Sequence, residues 1–225
     1  STPYPIPVIS VGNLTVGGTG KTPLTEFILR HLQRTYQCAL LSRGYGRKTK
    51  GVILADDTAT AATIGDEPMQ IHTTFDSVLV AVAAKRREGM KLLLQNDPAP
   101  QVVVLDDAFQ HRYVKPGLSI VVIDYYRPVW NDLCLPAGNL REPRSGLKRA
   151  QLIVVNKCPA SLSEQEAQQI RRKLKISNPE RVFFTTIRYG TPVPLKSQSI
   201  TFASLLRKPD QTVVALAGIG NPEPF

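Results

Sequence analysis

The sequence predicts an α/β domain in three layers, with helices covering both faces of a mostly parallel sheet. Six short apolar runs recur along the chain, and segments with helical periodicity lie between them. Apolar runs that do not alternate with polar residues are typical of strands buried on both faces, and such strands form parallel sheets covered by helices. The 225 residues and 42% hydrophobic content suffice for a domain with a buried core.

The predicted elements follow one another at short intervals. The six strands are predicted at residues 7–11, 38–42, 78–82, 102–107, 119–124 and 151–156. After the first strand, a helix is predicted to begin at Pro23, because proline suits a first turn. Its apolar face is predicted to carry Leu24, Phe27, Ile28 and Leu32. A later helix is predicted over about 163–175, where "SEQE" forms a capping box and "RRKLK" places basic residues at the C-terminal end.

The sequence changes character after about Arg188. The stretch "YGTPVPLKSQS" carries two prolines and predicts a connector, whereas "TVVALAGIGNPEPF" predicts a strand and a tight glycine turn that open another unit. We therefore predict a core domain at 1–187, a hinge or linker at 188–211, and the start of a truncated, smaller second α/β domain at 212–225.

Composition narrows the possible partners and setting. Lys and Arg exceed Asp and Glu by 28 to 18, which favours an anionic partner without choosing among nucleotide, phosphorylated metabolite, nucleic acid and acidic membrane. No apolar run approaches the roughly 20 residues that cross a bilayer. The cysteines Cys38, Cys134 and Cys158 are too widely spaced to indicate a zinc site or a disulfide framework, so a reducing cytosol is the simplest setting.

A phosphate-binding loop is predicted between the first strand and the first helix. In "GNLTVGGTGKTPLTEF" (12–27), Gly20, Lys21 and Thr22 fit the pattern Gly-x-x-x-x-Gly-Lys-Ser/Thr, while Thr15 occupies the position of the first glycine. A strand running into the loop and a helix running out of it aim free N–H groups and the positive end of the helix dipole at bound phosphates. The alternative is a glycine-rich turn that binds nothing.

Two acidic pairs are candidates for metal binding and catalysis. "VVVLDD" ends in Asp106 and Asp107, as a Walker B element does when its carboxylate helps to hold Mg²⁺. "IGDEPMQI" places Asp66 and Glu67 at a loop-to-helix junction, where Asp66 is either a helix N-cap or a general base that accepts a proton from a substrate hydroxyl. Capping or turn formation is also the alternative for the Walker B pair.

Further polar residues follow strands, at the edge where α/β folds bind ligands. "AFQH" places Gln110 and His111 after the Walker B pair, and "SRGYGRK" and "NLREPRSGLKR" supply Arg43 and Arg141, whose guanidinium groups suit phosphate oxygens. Solvated basic loops and a packed histidine are the alternatives. "VVNKCP" resembles the guanine-reading N-K-x-D element, but Pro159 stands where the acid belongs, so GTP specificity is not supported.

In this order, the motifs resemble those of the tetraacyldisaccharide 4'-kinase family of lipid A biosynthesis. The matching stretches are "PVISVGNLTVGGTGKTP", "LSRGYGRK", "GDEP", "VVVLDDAFQH", "LPAGNLREP" and "LAGIGNPEPF". The resemblance implies a P-loop NTPase-like kinase fold and transfer of the γ-phosphate of ATP to the 4'-hydroxyl of a lipid disaccharide 1-phosphate. It also makes Thr15 an ordinary feature of the loop.

The resemblance further implies roles for individual residues. The ATP-binding residues are Thr15, Val16, Gly17, Gly18, Thr19, Gly20, Lys21 and Thr22. The catalytic residues are Asp66 as base, Lys21 on the phosphates and Asp107, and the Mg²⁺ ligands are Thr22, Asp106 and Glu67. The residues expected to face the substrate are Gln110, His111, Arg43 and Arg141. The implied location is peripheral, on the anionic cytoplasmic surface of the bacterial inner membrane, with neither nucleic acid nor an obligate protein partner.

Two departures and one alternative accompany the resemblance. Members of the family begin with a hydrophobic membrane-associating segment and continue past "GNPE" into a second domain. We therefore expect this chain to be a fragment that lacks both and that binds ATP without turning over alone. The alternative function is a nucleotide-dependent switch or chaperone of the partition or metal-insertion NTPase class, whose double-glycine loops are similar. Those loops carry a signature lysine where this chain has Val16.

Overall fold

The computed structural model describes residues 3–188 and residue 190. Within this part, the chain forms eight strands and five α-helices. The strands are β1 (Val8–Gly12), β2 (Cys38–Ser42), β3 (Val52–Leu54), β4 (Leu79–Ala83), β5 (Val102–Asp106), β6 (Leu118–Asp124), β7 (Leu152–Asn156) and β8 (Val182–Phe184). The helices are α1 (Lys21–Leu32), α2 (Ala61–Ile64), α3 (Asp66–Thr74), α4 (Arg86–Leu94) and α5 (Glu164–Leu174). The predicted second-domain start at 212–225, and the predicted linker except for residues 188 and 190, lie outside the described residues.

All the described strands belong to one sheet, in the order β3-β4-β2-β5-β1-β6-β7-β8. Each neighbouring pair is parallel except β3 with β4, which is antiparallel. The predicted α/β class and mostly parallel sheet are therefore confirmed. Strands β2 to β5 lie on one side of β1, and strands β6 to β8 lie on the other. The strand order therefore reverses direction at β1. A crevice forms at such a switch point, outside the carboxyl ends of the strands, and α/β proteins bind ligands there.

Helices cover both faces of the sheet, as the three-layer prediction requires. In β4, Val80 and Val82 pack into the same apolar cluster as α1 and α3, whereas Ala81 and Ala83 pack with α4 on the other face. Helix α5 covers β6 and β7 through Ile170 and other apolar residues. Burial on both faces explains why these strands read as continuous apolar runs. Across the described residues, no helix combines the length and the apolar character needed to cross a membrane.

The six predicted strands all form, with ends that differ from the predictions by at most one residue. Two strands were not predicted, β3 and β8, and each has only three residues. The first lies at one edge of the sheet and the second at the other. Segments this short carry too few residues to show a period.

The prediction for the first helix needs two corrections. The helix begins at Lys21, two residues before the predicted Pro23. Phe27 is 58% exposed, so it does not belong to the buried face, which is centred on Thr25 and Leu29. Two residues along a helix correspond to a rotation of about 200°, so Phe27 lies opposite Leu29. Leu24, Ile28 and Leu32 flank the buried face and are partly buried, as predicted.

The helix predicted at 163–175 is confirmed as α5. Ser163 is its N-cap, and the capping box with Glu166 is complete, since each side chain bonds the other residue's backbone N–H. The basic residues of the last turn lie at the negative end of the helix dipole, where cations stabilise a helix.

Candidate functional site

The phosphate loop runs from the end of β1 to the start of α1, and its shape depends on glycine at two positions. Gly17 and Gly20 have φ angles of 87° and 90°, which favour glycine. Gly20 precedes α1 and leaves its first turn without a side-chain cap. The free N–H groups of that turn therefore remain available for an anion.

Thr15 has a structural reason to replace the expected glycine. It forms an antiparallel backbone bridge with Leu140, and next to it the N–H of Arg141 donates to the carbonyl of Leu14 at 2.7 Å. Thr15 is buried and does not have a positive φ. The position needs an extended backbone that any residue adopts, so threonine is accommodated there.

Side-chain hydrogen bonds from within the loop and from two other strand ends hold the loop in place. Asn13 donates through Nδ2 to Thr19 Oγ1 at 3.1 Å, within the loop itself. Gln110 donates through Nε2 to the carbonyl of Asn13 at 2.8 Å, and Asn156 donates through Nδ2 to the carbonyl of Thr19 at 3.1 Å. The bonds from Gln110 and Asn156 occupy backbone carbonyls of the loop and thereby favour a conformation in which loop N–H groups are left for a ligand.

A buried acid organises a second support of the loop, which we call the Asp124 triad (Asp124, Arg127 and Lys157). Asp124, at the end of β6, is 3% exposed, and its Oδ2 lies 2.8 Å from Lys157 Nζ and 3.4 Å from Arg127 Nε. Lys157 Nζ also donates to the carbonyl of Gly18 at 2.7 Å. The carboxylate thus fixes a lysine that bonds the centre of the phosphate loop.

An open cleft of about 1840 Å³ lies above the loop, at the carboxyl ends of the strands. Most of the predicted site residues line it together: Val16, Gly17, Gly18, Thr19, Gly20, Lys21, Thr22, Arg43, Glu67, Asp106, Asp107, Gln110, His111 and Arg141. Two predicted residues, Thr15 and Asp66, are not among the described residues that line it.

Asp107 and Asp106 differ in environment although they are adjacent. Asp107 Oδ2 lies 2.9 Å from Arg141 Nη1, and Oδ1 lies 3.5 Å from Lys21 Nζ. Burial alone would raise the pKa of Asp107, but Lys21 and Arg141 outweigh burial and the pKa is lowered. Asp107 is therefore a fixed negative charge that holds two cations at the centre of the cleft.

Asp106 has a raised pKa because it is buried and pairs with no cation among the described residues. It is 8% exposed, and Ser42 donates to its Oδ2 at 3.3 Å. Burial, with a contribution from the charge on Asp107, raises the pKa of Asp106 to about 6. Beneath it, the buried Arg86 donates to the backbone carbonyls of Ala83 at 2.6 Å and Asp106 at 3.2 Å. Burial lowers the pKa of Arg86 to about 10, so its guanidinium stays charged at pH 7.

The substitution Asp106→Asn is expected to stabilise the ligand-free protein at neutral and alkaline pH. The fold favours the neutral form of Asp106, so at a pH above its folded-state pKa the charged carboxylate lowers the free energy of unfolding. This cost disappears as the pH falls from the folded-state pKa to the lower pKa of the unfolded chain. A shift of this size corresponds to about 1 to 3 kcal/mol, or about 2 to 8 °C in Tm.

Thermal unfolding at pH 8 and pH 4, with Asp57→Asn as an exposed control, measures the effect. The gain for Asp106→Asn should be present at pH 8 and disappear at pH 4, whereas Asp57→Asn should change Tm little at either pH. If Asp106→Asn is no more stable than wild type at pH 8, the charged Asp106 carboxylate does not destabilise the folded protein.

Gln110 and His111 line the cleft after the Walker B pair, and Gln110 contacts the loop after β6. Gln110 also donates to Glu142 Oε1 at 3.0 Å, and Arg149 holds Glu142 at 2.7 Å. Burial, followed by the charges of Arg86 and Arg43, lowers the pKa of His111, so its ring is neutral at pH 7. Its Nδ1 is buried and has no hydrogen-bond partner within the described part of the chain.

The "GDEP" and "SRGYGRK" motifs meet at the cleft, which Glu67, Arg43 and Tyr45 line. Gly65 has a φ of 95°, and a Cβ built on it would lie 2.9 Å from the carbonyl oxygen of Tyr45, so the two loops touch. The alternative in which Asp66 caps α3 is wrong: Gly65 holds the N-cap position and Asp66 begins the helix. Both Asp66 and Glu67 are exposed, and Glu67 faces the cleft.

Sequence reasoning missed several residues of the site, among them Asp124, Lys157 and Arg86. Asp124 and Lys157 each stand at the end of an apolar run, as Asp106 does, and that position was the available signal. Arg86 begins α4 and reads in "AKRREG" as one of several surface charges, so the sequence carried no sign of its burial.

The mostly parallel sheet has a glycine-rich phosphate loop after β1, a lysine and a hydroxyl at the start of the next helix, and acids at the end of the neighbouring β5. These features define a P-loop nucleotide-binding protein of the NTPase-like class. The family model of tetraacyldisaccharide-1-P 4'-kinase (LpxK) matches residues 1–225. The chain belongs to the tetraacyldisaccharide 4'-kinase family, as the motif resemblance predicted.

Relatives of known sequence and structure agree with that assignment. Tetraacyldisaccharide 4'-kinase of Flavobacterium johnsoniae is 47% identical over 225 residues, covering 100% of this chain and 65% of the relative. The protein of the same name from Phocaeicola vulgatus is 42% identical over 221 residues, covering 97% and 60%. This chain therefore spans somewhat less than two thirds of these relatives. The crystal structure of LpxK from Aquifex aeolicus, in complex with ATP, shares 37% identity with a TM-score of 0.63, covering 68% of this chain and 49% of that one.

Proposed function

We propose that this chain carries the ATP site and much of the catalytic centre of a kinase that phosphorylates the 4'-hydroxyl of a tetraacyldisaccharide 1-phosphate. The observation that carries the proposal is the meeting of Lys21, the Asp106–Asp107 pair and the "GDEP" loop at one cleft, in a chain of this family. The complex of the Aquifex aeolicus relative with ATP supports ATP as the phosphate donor.

The cleft and its rim divide the tasks of phosphoryl transfer. Lys21 and the N–H groups at the start of α1 hold the β- and γ-phosphates. Asp66, which is exposed beside the cleft-lining Glu67, accepts the proton of the acceptor hydroxyl. The hydroxyl oxygen forms a bond to the γ-phosphorus as the bond from that phosphorus to the β-phosphate oxygen breaks, and ADP leaves. Gln110, His111, Arg43 and Arg141 face the acceptor and the transferred group.

The residues present also fit a magnesium ion. Asp106 is a buried carboxylate without a cation partner in the described structure, Thr22 supplies a hydroxyl oxygen, and Glu67 lines the same cleft. Oxygen ligands of this kind suit Mg²⁺, which keeps several waters and binds through a few carboxylates and the substrate phosphates. The ion would neutralise charge on the β- and γ-phosphates. Across the described residues, no group of three or more His, Cys, Asp or Glu side chains converges as a metal site.

The proposal is tested by transfer of ³²P from ATP to tetraacyldisaccharide 1-phosphate, measured beside ATP hydrolysis without lipid. A full-length version and the 225-residue chain should be assayed in parallel, with heat-inactivated protein as the control. Labelled lipid from the full-length version supports the kinase. Lipid-independent hydrolysis with no labelled lipid would favour the nucleotide-dependent switch, which the family assignment does not favour.

We further propose peripheral attachment to the anionic cytoplasmic face of the inner membrane. The formal net charge of +10 supports an electrostatic contribution, since each Lys or Arg near such a surface is worth about 1 kcal/mol. Flotation with anionic liposomes at low and high salt tests it, and binding that ignores salt would exclude an electrostatic attachment.

Removing the acid of the Asp124 triad is expected to weaken nucleotide binding. In Asp124→Asn, Lys157 loses its charged partner and no longer stays fixed against the Gly18 carbonyl, so the loop samples conformations that hold phosphate poorly. Lys157→Met removes the bond to the loop directly. Bonds to charged groups contribute about 1.5 to 3 kcal/mol, so we expect Kd for ATP to rise about 10- to 100-fold.

Calorimetric titration with MgATP measures this, and Tyr126→Phe is a matched control because Tyr126 also lines the cleft but makes no side-chain hydrogen bond in the described structure. If Asp124→Asn binds MgATP as wild type does, the triad does not position the loop.

A further inference from the structure

The proposed reaction requires two separate anion sites. The acceptor carries its existing phosphate on position 1 of one sugar and its reacting hydroxyl on position 4' of the other. The disaccharide therefore separates the acceptor phosphate from the γ-phosphate held by Lys21. One phosphate loop cannot hold both, so binding of the acceptor phosphate by protein groups requires a second anion site.

A smaller pocket of about 340 Å³ adjoins the cleft, and Arg43, Tyr45 and Ala84 line both. Arg47 and Lys50 add two more cationic side chains to its wall. We call it the basic pocket. No Asp or Glu is among the described residues that line it. Three cations without an intervening acid produce a positive potential that concentrates anions, and arginine guanidinium groups match phosphate oxygens in geometry.

The loop that forms the basic pocket is fixed to α2. The N–H of Lys48 donates to the carbonyl of Ala62 at 2.8 Å, and Thr49 Oγ1 donates to the carbonyl of Thr63 at 2.5 Å. Within the loop, Arg47 Nη2 donates to the carbonyl of Gly51 at 2.6 Å. A side chain held in this way loses little rotational freedom when a ligand binds, and such preorganisation favours affinity.

The charge of Arg47 lacks a counter-ion. It forms no ion pair in the described part of the chain, and its Nη1 is buried without a hydrogen-bond partner there. Burial lowers the pKa of its guanidinium. A partly buried cation without an anionic partner is unfavourable, and an anion in the pocket would relieve that cost. Arg43 and Lys50 are exposed and free to close on the same ligand.

We propose that the basic pocket binds the 1-phosphate of the acceptor disaccharide, with Arg47 and Lys50 as phosphate contacts and Arg43 between this pocket and the cleft. The proposal rests on the proposed kinase function. The distal sugar then extends from the pocket past Arg43 and Tyr45 toward Lys21, with the "GDEP" loop alongside. The pocket selects acceptors that already carry a phosphate at position 1.

The test compares binding of two micellar ligands, the tetraacyldisaccharide with and without its 1-phosphate. Wild type is expected to prefer the phosphorylated ligand by about 10- to 100-fold, and Arg47→Gln and Lys50→Gln are each expected to reduce that preference by about tenfold. Arg172→Gln, which removes an exposed charge from α5, is the matched control and should keep the full preference. Unchanged Kd for MgATP in each variant verifies the fold, and Lys50 is exposed enough to be replaced without disturbing packing.

The inference fails if wild type binds both ligands equally, or if both variants retain the full preference. Failure of the proposed function looks different, because the full-length version would then transfer no ³²P to either disaccharide. If the acceptor is phosphorylated with the same KM with and without its 1-phosphate, the proposed kinase function stands and the role proposed for the basic pocket is wrong.

Discussion

Lys21→Ala is expected to abolish phosphoryl transfer by a full-length version, with a loss of at least about 10³-fold in kcat. Lys21 opens α1, and its side chain is only 15% exposed, with Nζ 3.5 Å from Asp107. In the proposed function it is the loop's cation, which would meet the β- and γ-phosphates beside the N–H groups of the first turn. Alanine leaves the negative charge of Asp107 in the cleft with one cation fewer, which also repels phosphate.

Transfer of ³²P to the lipid and the Kd for MgATP should both be measured, because Lys21 acts on binding and on the transition state. Lys91→Ala on the exposed side of α4 is a matched control and should behave as wild type. Transfer by Lys21→Ala within about tenfold of wild type would move the catalytic cation elsewhere, with Arg141 as the first candidate.

Asp107 contacts both cations at the centre of the cleft, Lys21 and Arg141, so its role bears on what each of them does. Its contacts with Lys21 and Arg141 keep the two side chains in the cleft but neutralise them. Triphosphate oxygens compete for the same cations, since phosphate accepts several charge-assisted bonds at once. We infer that nucleotide binding exchanges part of the Asp107 contacts for phosphate contacts, so that Asp107 positions the cations rather than accepting a proton.

The strands of the sheet could be predicted from the sequence because a strand buried on both faces consists of consecutive apolar residues. Strands such as β5 and β7 read as unbroken apolar runs, and the sequence located all six of that kind. The edge strand β3 is half-buried and three residues long, so its pattern is lost among the turns. The exposed Phe27 was misplaced because apolar character alone does not fix the rotation of a helix; that rotation depends on which residues the sheet covers.

The candidate site likewise contains residues that the sequence predicts and residues that only the fold brings together. The phosphate loop and the Walker B pair are contiguous motifs, and local geometry alone aims them at one edge of the sheet. Asp124, Lys157 and Gly18 come from three separate segments, and they meet because β6 and β7 lie beside β1 in the strand order. Arg86 depends on tertiary packing even more, since only the fold shows that its guanidinium lies beneath Asp106.

Asp66→Ala is expected to lower kcat about 10²- to 10⁴-fold, the usual range for a positioned general base, with little change in the Kd for MgATP. Asp66 stands at the first position of α3, where the helix dipole favours a carboxylate, and it is exposed to solvent next to Glu67, which lines the cleft. Asp107 is a poor alternative, because the cations that hold it lower its pKa and compete for its oxygens.

Single-turnover transfer by Asp66→Ala, Asp66→Asn and Asp107→Ala separates the two carboxylates, with Asp57→Ala as an exposed control. Both Asp66 variants should bind MgATP normally and transfer slowly, since asparagine keeps the shape but cannot accept the proton. Asp107→Ala should change the Kd for MgATP as well as slow transfer, because Lys21 and Arg141 lose both their shared anchor and the charge that competes with phosphate. Normal turnover by Asp66→Ala beside lost turnover by Asp107→Ala would assign the base to the Walker B pair and overturn the role proposed for "GDEP".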